Sequence, residues 1–226
     1  MKKLLSVMAL VVAFGAVTAQ AGVITLTFEG LQNNEQVLNY YNGGLGGNGT
    51  GPGPNYGITF GSDSLAIISQ AAGGSGNLDG APTMPTTLYF LTGPGNIMNV
   101  PAGFDTGFSF YYSSPFYTGS VTVYDGINGT GSVLASLTLP NTPNGQTFGP
   151  PCSGSYNYCP WIPIGVTFTG TAMSVDFSGT ANYITFDNIT LGSGTPTPGT
   201  PEPGTLVMFG SGVLGLASVI RRKLNL

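Results

Sequence analysis

Positive charge is almost absent from this 226-residue sequence, and histidine is absent altogether. Charged residues make up 6 % of the chain, against about 25 % in an average soluble protein. All five cations lie at the two ends of the chain, and residues 22–200 contain none. The same stretch contains eight carboxylates, which are Glu29, Glu35, Asp63, Asp79, Asp105, Asp125, Asp176 and Asp187.

These absences exclude several classes of function. Nucleic-acid binding depends on cations that neutralise phosphates, so we expect no nucleic-acid partner. Phosphoryl transfer lacks its usual Lys or Arg. Without histidine there is no Ser–His or Cys–His nucleophile pair and no zinc site built from imidazoles. Chemistry is left to carboxylates, hydroxyls, phenols and the backbone, which also suit hard cations such as calcium.

Glycine and proline are abundant, with 37 and 17 residues, and they exclude a bundle of long helices. Between the turn clusters, apolar and polar residues alternate with a period of two, as in 24–28, 108–110, 121–123 and 173–177. This pattern predicts about ten short strands. The sequence therefore predicts an all-β fold, an antiparallel β-sandwich of the jelly-roll-like kind, as one domain over residues 22–192.

The amino-terminal residues 1–21 have the pattern of a secretory signal peptide. Lys2 and Lys3 precede an apolar run over residues 4–17, which predicts a signal helix. Ala19 and Ala21 then fit the small-x-small rule for cleavage. We expect signal peptidase to be a partner during export and to cut after Ala21.

The carboxyl-terminal residues fall into three parts. Residues 193–204 are rich in Pro, Thr and Gly, which favours an extended, hydrated linker. Residues 205–220 are uncharged and mostly apolar, and as a transmembrane helix they would span about 24 Å. Residues 221–226 form a basic tail that we expect to stay cytoplasmic, which leaves the domain outside the membrane.

This tail resembles the PEP-CTERM sorting signal of exported bacterial proteins. Its three parts are present in order: Pro201, Glu202 and Pro203, then the apolar segment, then Arg221, Arg222 and Lys223. The resemblance implies that an exosortase, a membrane protease-transpeptidase, reads the tail. It also implies a precursor anchored in the inner membrane that is later sorted to the cell surface or outside the cell. The alternative is an ordinary membrane anchor that stays intact.

The two ends of the predicted domain carry a second, shorter resemblance. Phe28-Glu29-Gly30 and Phe186-Asp187-Asn188-Ile189 are similar to the terminal strands of carbohydrate-binding-module-like jelly rolls. That resemblance implies that Glu29 and Asp187 are ligands of a structural calcium; we expect no other cofactor. The alternative is that both acids are strand-end caps or surface charges. The apolar pattern also slips by one residue at Asp187 and Asn188, which predicts either a β-bulge or a change of packing partner.

Cys152 and Cys159 are the only cysteines, and export makes a structural disulfide between them the expected outcome. The loop that they close contains Tyr156 and Tyr158 and is followed by Trp161, the single tryptophan. Amphipathic rings of this kind stack on sugars, so these three residues are candidate ligand-binding residues. The glycine-dense stretch 43–56 predicts a surface loop that packs poorly against itself.

Together these features favour an exported, non-catalytic β-sandwich of the cell surface or extracellular matrix, with polysaccharide as its candidate ligand. One alternative is an extracellular glycosidase, which needs two carboxylates across a cleft. Another is a purely structural matrix component that associates with itself.

Overall fold

The computed structural model describes residues 22–91, 96–180 and 182–198. The predicted signal peptide, the Pro-Glu-Pro motif at 201–203, the helix at 205–220 and the basic tail lie outside these residues. Within the described ranges, no helix is long and apolar enough to cross a membrane.

The described residues form strands joined by turns. The elements in chain order are β1 (Ile24–Leu26), β2 (Glu35–Gln36), β3 (Thr59–Phe60), β4 (Ser64–Ile68), β5 (Thr86–Phe90), β6 (Ile97–Phe104), β7 (Gly107–Ser113), β8 (Gly119–Tyr124), β9 (Val133–Leu139), the short helix α1 (Gly145–Phe148), β10 (Ile162–Thr167), β11 (Ala172–Gly179) and β12 (Thr185–Leu191), with 3-10 turns at Gln70–Ala72 and Ile127–Gly129.

Two antiparallel sheets make up the fold. One has seven strands in the order β10-β7-β12-β5-β4-β2, with β1 paired to β12, and the other has five in the order β3-β6-β11-β8-β9. The predicted all-β antiparallel sandwich is therefore confirmed.

The core between the sheets is made by the alternation seen in the sequence. Val121 and Val123 in β8 are fully buried, while the residues between and beside them are not. Aromatic rings from both sheets meet at the centre, where the rings of Phe90 and Phe177 stack with centroids 4.2 Å apart. Burial of such apolar surface is the main favourable term in folding.

Strand β12 lies inside the seven-stranded sheet and changes partner halfway along its length. Thr185 and Phe186 pair with β5, whereas Ile189–Leu191 pair with β1 on the same edge. On its other edge β12 pairs with β7, with a register shift after Asp187. Asn188 takes a positive φ of 48° at this point. The register shift agrees with the predicted β-bulge, and β12 also changes its paired strand at this point.

The glycine-dense stretch is closely packed, in contrast to the loose loop that its composition predicts. A Cβ atom at Gly46 would meet the Glu35 carboxylate at 2.5 Å, and one at Gly44 would meet Asn39 at 2.9 Å. A Cβ at Gly53 would overlap the backbone carbonyl of Tyr40. These glycines are needed because two chain segments approach closely, which no larger residue permits.

Glu35 holds this stretch together. Its side chain is fully buried, and its carboxylate accepts the backbone N–H of Gln32, Asn48 and Thr50 and the hydroxyl of Thr50 at 2.6–3.1 Å. Burial alone would raise the pKa of Glu35, but these four hydrogen bonds outweigh it and lower the pKa below its usual value. The group therefore stays ionised in the interior without a cation.

Residues 193–198 also differ from the prediction of a hydrated linker. They lie against the domain, and Pro196 among them is buried. The hydroxyl of Ser109 donates to the carbonyl of Ser193 at 2.8 Å, and Asn188 donates to the carbonyl of Thr197 at 3.2 Å.

Glu35→Gln tests the role of the buried carboxylate. The amide places an NH2 donor against N–H donors, so we expect the free energy of unfolding to fall by about 2–3 kcal/mol. Urea unfolding of the full chain at pH 7 measures this loss. Asp105→Asn, at an exposed acid, is the control and should change stability by less than about 0.5 kcal/mol. Equal, small effects of both variants would contradict the role given to Glu35.

Candidate functional site: a tyrosine cavity and a carboxylate pair

Two long loops, residues 69–85 and 140–161, cover part of the outer face of the seven-stranded sheet. They form a second hydrophobic cluster of Leu78, Ala81 and Trp161. Ile67 of β4 and Tyr111 of β7 pack against this cluster. Both residues alternate along their strands with core residues, so they point away from the main core.

The disulfide loop is fastened to the other loop by backbone contacts. Tyr158 donates its N–H to the carbonyl of Asn77 at 3.1 Å and accepts the N–H of Asp79 at 3.3 Å. The Asp79 carboxylate accepts the N–H of Ser153 at 3.0 Å. Cys152 and Cys159 form the predicted disulfide, which is thereby confirmed. The bond closes the loop that carries Tyr158.

A cavity of about 320 Å³ opens between these loops and the sheet. We call it the tyrosine cavity. Its lining is uncharged and combines rings, amides and hydroxyls with an apolar floor. The lining residues are Asn34, Ile67, Ser75, Gly76, Asn77, Leu78, Tyr89, Tyr158, Asn182, Tyr183, Ile184 and Thr185.

Exposed rings continue from the cavity as an aromatic rim, which consists of Phe116, Tyr117, Tyr158 and Tyr183. The rings of Tyr117 and Tyr183 stack at 5.2 Å with their planes 20° apart. Phe116 meets Tyr158 edge to face at 6.1 Å. About half of the surface of Phe116, Tyr117 and Tyr183 is exposed. A row of partly exposed rings beside a cavity is a surface that can stack on a flat ligand.

The phenol of Tyr158 stays protonated at neutral pH. Burial, with smaller contributions from Tyr183 and Tyr117, raises its pKa to about 12. Burial also raises the pKa of Tyr89 on the floor of the cavity. Both hydroxyls can therefore donate as well as accept hydrogen bonds at neutral pH.

The structure places the three aromatic residues singled out by sequence differently. Tyr158 lines the cavity. Trp161 is 9 % exposed and donates its indole N–H to the carbonyl of Asp79 at 2.8 Å. Tyr156 is half-buried and is not among the lining residues. Sequence reasoning missed Tyr89 and Tyr183. For Tyr89 a signal existed, because it lies between the apolar residues Leu88 and Phe90 and so faces away from the core.

The second candidate site is the pair Glu29 and Asp187. Glu29 follows β1, and Asp187 lies where β12 changes partner. The start of β5 and the residues just before it donate hydrogen bonds to both acids. Thr83 donates its N–H to Asp187 at 2.7 Å, and Thr86 donates its N–H to Glu29 at 3.0 Å.

Both carboxyl groups resist ionisation. Burial raises the pKa of Asp187 well above its usual value, the N–H groups of Thr83 and Asn188 oppose this, and the charge of Glu29 adds to it. Burial also raises the pKa of the half-buried Glu29, against the hydrogen bonds from Thr86. Residues 22–198 contain no Lys, Arg or His, so no side-chain cation from the described part of the chain compensates the pair.

The chemistry of this pair suits a hard cation. Oxygen atoms are the ligands that calcium prefers. Besides the two carboxylates, the hydroxyl of Thr83 and the side-chain oxygen of Asn188 lie nearby, 2.8 Å from each other. Within the described ranges no cluster of three or more His, Cys, Asp or Glu residues is placed to hold a metal. A calcium ion here therefore needs neutral oxygen ligands in addition to Glu29 and Asp187.

The pKa of Asp187 predicts how stability depends on pH in metal-free protein. Between the unfolded pKa, about 4, and the raised folded pKa, the folded state binds more protons, so stability falls as pH rises. We expect a higher Tm at pH 5 than at pH 8 in thermal melts of metal-free full chain. Asp187→Asn should flatten this slope and Asp105→Asn should keep it. If Tm depended on pH in Asp187→Asn as it does in the unsubstituted chain, Asp187 would not be the source of the pH dependence.

Solved structures that resemble this fold include an adhesin domain and carbohydrate-binding modules. The K2 cleaved adhesin domain of Lys-gingipain is 17 % identical, with 76 % of this chain and 99 % of that chain covered and a TM-score of 0.45. A β-1,3-glucan-binding CBM6 from Bacillus halodurans has 14 % identity, coverage of 60 % and 89 %, and a TM-score of 0.37. CBM35 from Paenibacillus barcinonensis is 16 % identical, with 61 % of this chain and 93 % of that chain covered and a TM-score of 0.34.

Carbohydrate-binding modules are thus among the structures similar to this one. With TM-scores below 0.5, these similarities assign neither a ligand nor an activity to this chain. No curated protein matches its sequence.

The carboxyl-terminal sorting signal is supported by a direct sequence match. Residues 199–223 match the PEP-CTERM protein-sorting motif, which confirms the resemblance found at Pro201–Pro203 and Arg221–Lys223. The motif implies processing by exosortase and indicates an exported protein. The chain is therefore one that carries a PEP-CTERM sorting motif behind an all-β domain.

Proposed function

We propose that this protein is a non-catalytic, exported surface protein that binds polysaccharide in the tyrosine cavity. The observation that carries the proposal is an open cavity with three tyrosines and three asparagines in its lining and no charged side chain. Flat rings offer stacking surfaces for sugar rings, and amides and phenols offer hydrogen bonds to hydroxyl groups.

The size of the cavity fits this class of ligand. Its volume of about 320 Å³ lies at the lower end of small-molecule sites, which suits one or two sugar rings. The aromatic rim then offers further stacking positions outside the cavity, so that a longer glycan contacts both.

Charge favours an uncharged glycan. An anionic sugar in the cavity loses hydration and gains no cation in return, because none is present in residues 22–198. Carboxylates elsewhere on the domain also repel polyanions at low salt. Neutral glucans and xylans therefore fit better than uronate or sulfated polymers.

The residues that line the cavity favour glycan binding over the two alternative functions, a glycosidase and a purely structural component. A glycosidase needs two carboxyl groups that face one cleft, and the lining of the cavity contains none. Glu29 and Asp187 are not among the lining residues and accept N–H groups from Thr86 and Thr83. A purely structural role does not account for the tyrosine cavity, whereas glycan binding does.

Substitution of the cavity tyrosines tests the proposal. We expect Tyr89→Ala and Tyr183→Ala each to weaken binding at least about fivefold, because each removes a ring contact worth about 1 kcal/mol or more. Affinity gel electrophoresis against laminarin, hydroxyethyl cellulose and arabinoxylan, with alginate as the anionic comparison, measures the effect.

Tyr124→Ala is the matched control, since Tyr124 lies at the end of β8 in the five-stranded sheet. This variant should bind as the unsubstituted chain does. Retardation by alginate alone, or no retardation by any of the four polymers, would refute glycan binding by the cavity.

We further propose that Glu29 and Asp187 hold a structural Ca2+ ion where β1, β5 and β12 meet. The support is the pair of interacting carboxylates, one of them fully buried, in a domain whose described residues offer no cation. A bound ion supplies positive charge between the two acids. The residues of the chain supply oxygen ligands and position them by the hydrogen bonds from Thr83 and Thr86.

Calcium should then stabilise the domain at pH 7.5. At a free concentration a hundredfold above Kd the gain is about 2.7 kcal/mol, or a rise in Tm of roughly 5–10 °C. Thermal melts with and without calcium measure it. Glu29→Gln and Asp187→Asn should lose the rise and Asp105→Asn should retain it. A melt that calcium leaves unchanged in the unsubstituted chain would refute the site.

A further inference from the structure

Residues 193–198, which we call the docked segment, close the domain at its carboxyl end. Thr197 makes three polar contacts. Its hydroxyl lies 2.5 Å from that of Thr25, its carbonyl accepts from Asn188 at 3.2 Å, and its N–H donates to the hydroxyl of Thr190 at 3.4 Å. The segment thus crosses β1 and β12 beside the bulge and is held by side chains of both strands.

Three glycines let the docked segment approach the sheet. A Cβ atom at Gly107 or Gly165 would overlap the backbone of Gly194, and a Cβ at Gly194 would meet Thr167 at 2.7 Å. Pro196 is buried two residues later. The groove therefore accepts a chain that has glycine at the first position, proline at the third and a hydroxyl at the fourth.

A second, nearly identical copy of this five-residue pattern follows the first in the sequence. Gly194-Thr195-Pro196-Thr197-Pro198 is followed directly by Gly199-Thr200-Pro201-Glu202-Pro203, and the two copies agree at four of five positions. The second copy contains the Pro-Glu-Pro of the sorting motif. The two copies differ only at the position where Thr197 bonds to Thr25.

We propose that the groove formed by Gly107, Gly165, Thr25, Asn188 and Thr190 binds the first copy selectively, and that Glu202 excludes the second copy. Two features of the groove cause this selection. A glutamate has no hydroxyl on Cβ, so the short contact with the Thr25 hydroxyl would be lost. Its carboxylate would also lose water in a groove whose residues include no cationic side chain.

The selection keeps the sorting motif available. If the two copies were identical, the groove would hold either one, and the motif would be hidden in a share of the molecules. With glutamate in the second copy, the groove is filled by the first and does not compete with the processing enzyme for Pro-Glu-Pro. The domain thereby also keeps its closing segment when the tail is removed beyond it.

Amide exchange measured by NMR on the full chain in detergent micelles tests this inference. In the unsubstituted chain we expect the amide of Thr197 to exchange about tenfold more slowly than those of Thr200 and Glu202, after correction for intrinsic rates. Thr197→Glu should abolish the slow exchange at position 197. Thr197→Ser, which keeps the hydroxyl, should preserve it.

The double variant Thr197→Glu with Glu202→Thr exchanges the two fourth positions and should move the slow exchange to position 202. The amide of Ile189 in β12 should stay protected in every variant, which shows that the domain remains folded. Slow exchange at position 197 in Thr197→Glu would overturn the proposal. So would equal rates at positions 197 and 202 in the unsubstituted chain, or a double variant in which neither position is slow.

Discussion

A carboxylate without a cation in reach must be stabilised by N–H and O–H donors, and this constraint shapes the described domain. Glu35 gathers donors from the glycine-dense stretch, and Asp79 joins the two loops that cover the sheet through Ser153. Asp187 in β12 and Glu29, which follows β1, accept N–H groups from Thr83 and Thr86 around the start of β5. In each case an acid fastens a loop that has no regular hydrogen-bonding pattern of its own. The acids therefore act as the cross-links that ion pairs supply in other proteins.

The sandwich, the disulfide and the irregularity in β12 could be predicted from local sequence. Alternation in 121–123 and 173–177 reports which face of a strand is buried, and this depends on neighbours only a few residues away. The slip at Asp187 and Asn188 was visible for the same reason. Two cysteines in an exported chain leave a single intramolecular pairing. These features share the property that one stretch of sequence, or one pair of residues, determines them.

The cavity could not be predicted, because it arises where three distant parts of the chain meet. Tyr89 comes from a central strand, Tyr158 from the disulfide loop and Tyr183 from the turn before β12. Composition also did not predict the close packing of the glycine-dense stretch 43–56. Glycine permits loose loops and close backbone contacts equally, and only the fold shows that Gly46 and Gly194 serve the second purpose. The Thr and Pro residues of 193–198 were ambiguous in the same way, because their composition predicted a hydrated linker and the fold shows a segment that lies against the domain.

Strand β12 is the last strand of the domain in chain order, yet it lies inside the larger sheet and all of its residues are buried. The sheet is therefore incomplete until residues 185–191 have joined β1, β5 and β7, whose paired residues lie up to 167 positions earlier in the chain, as for Ile24 and Leu191. Such long-range pairing makes folding slow. During export, the larger sheet therefore stays incomplete until nearly the whole domain has emerged.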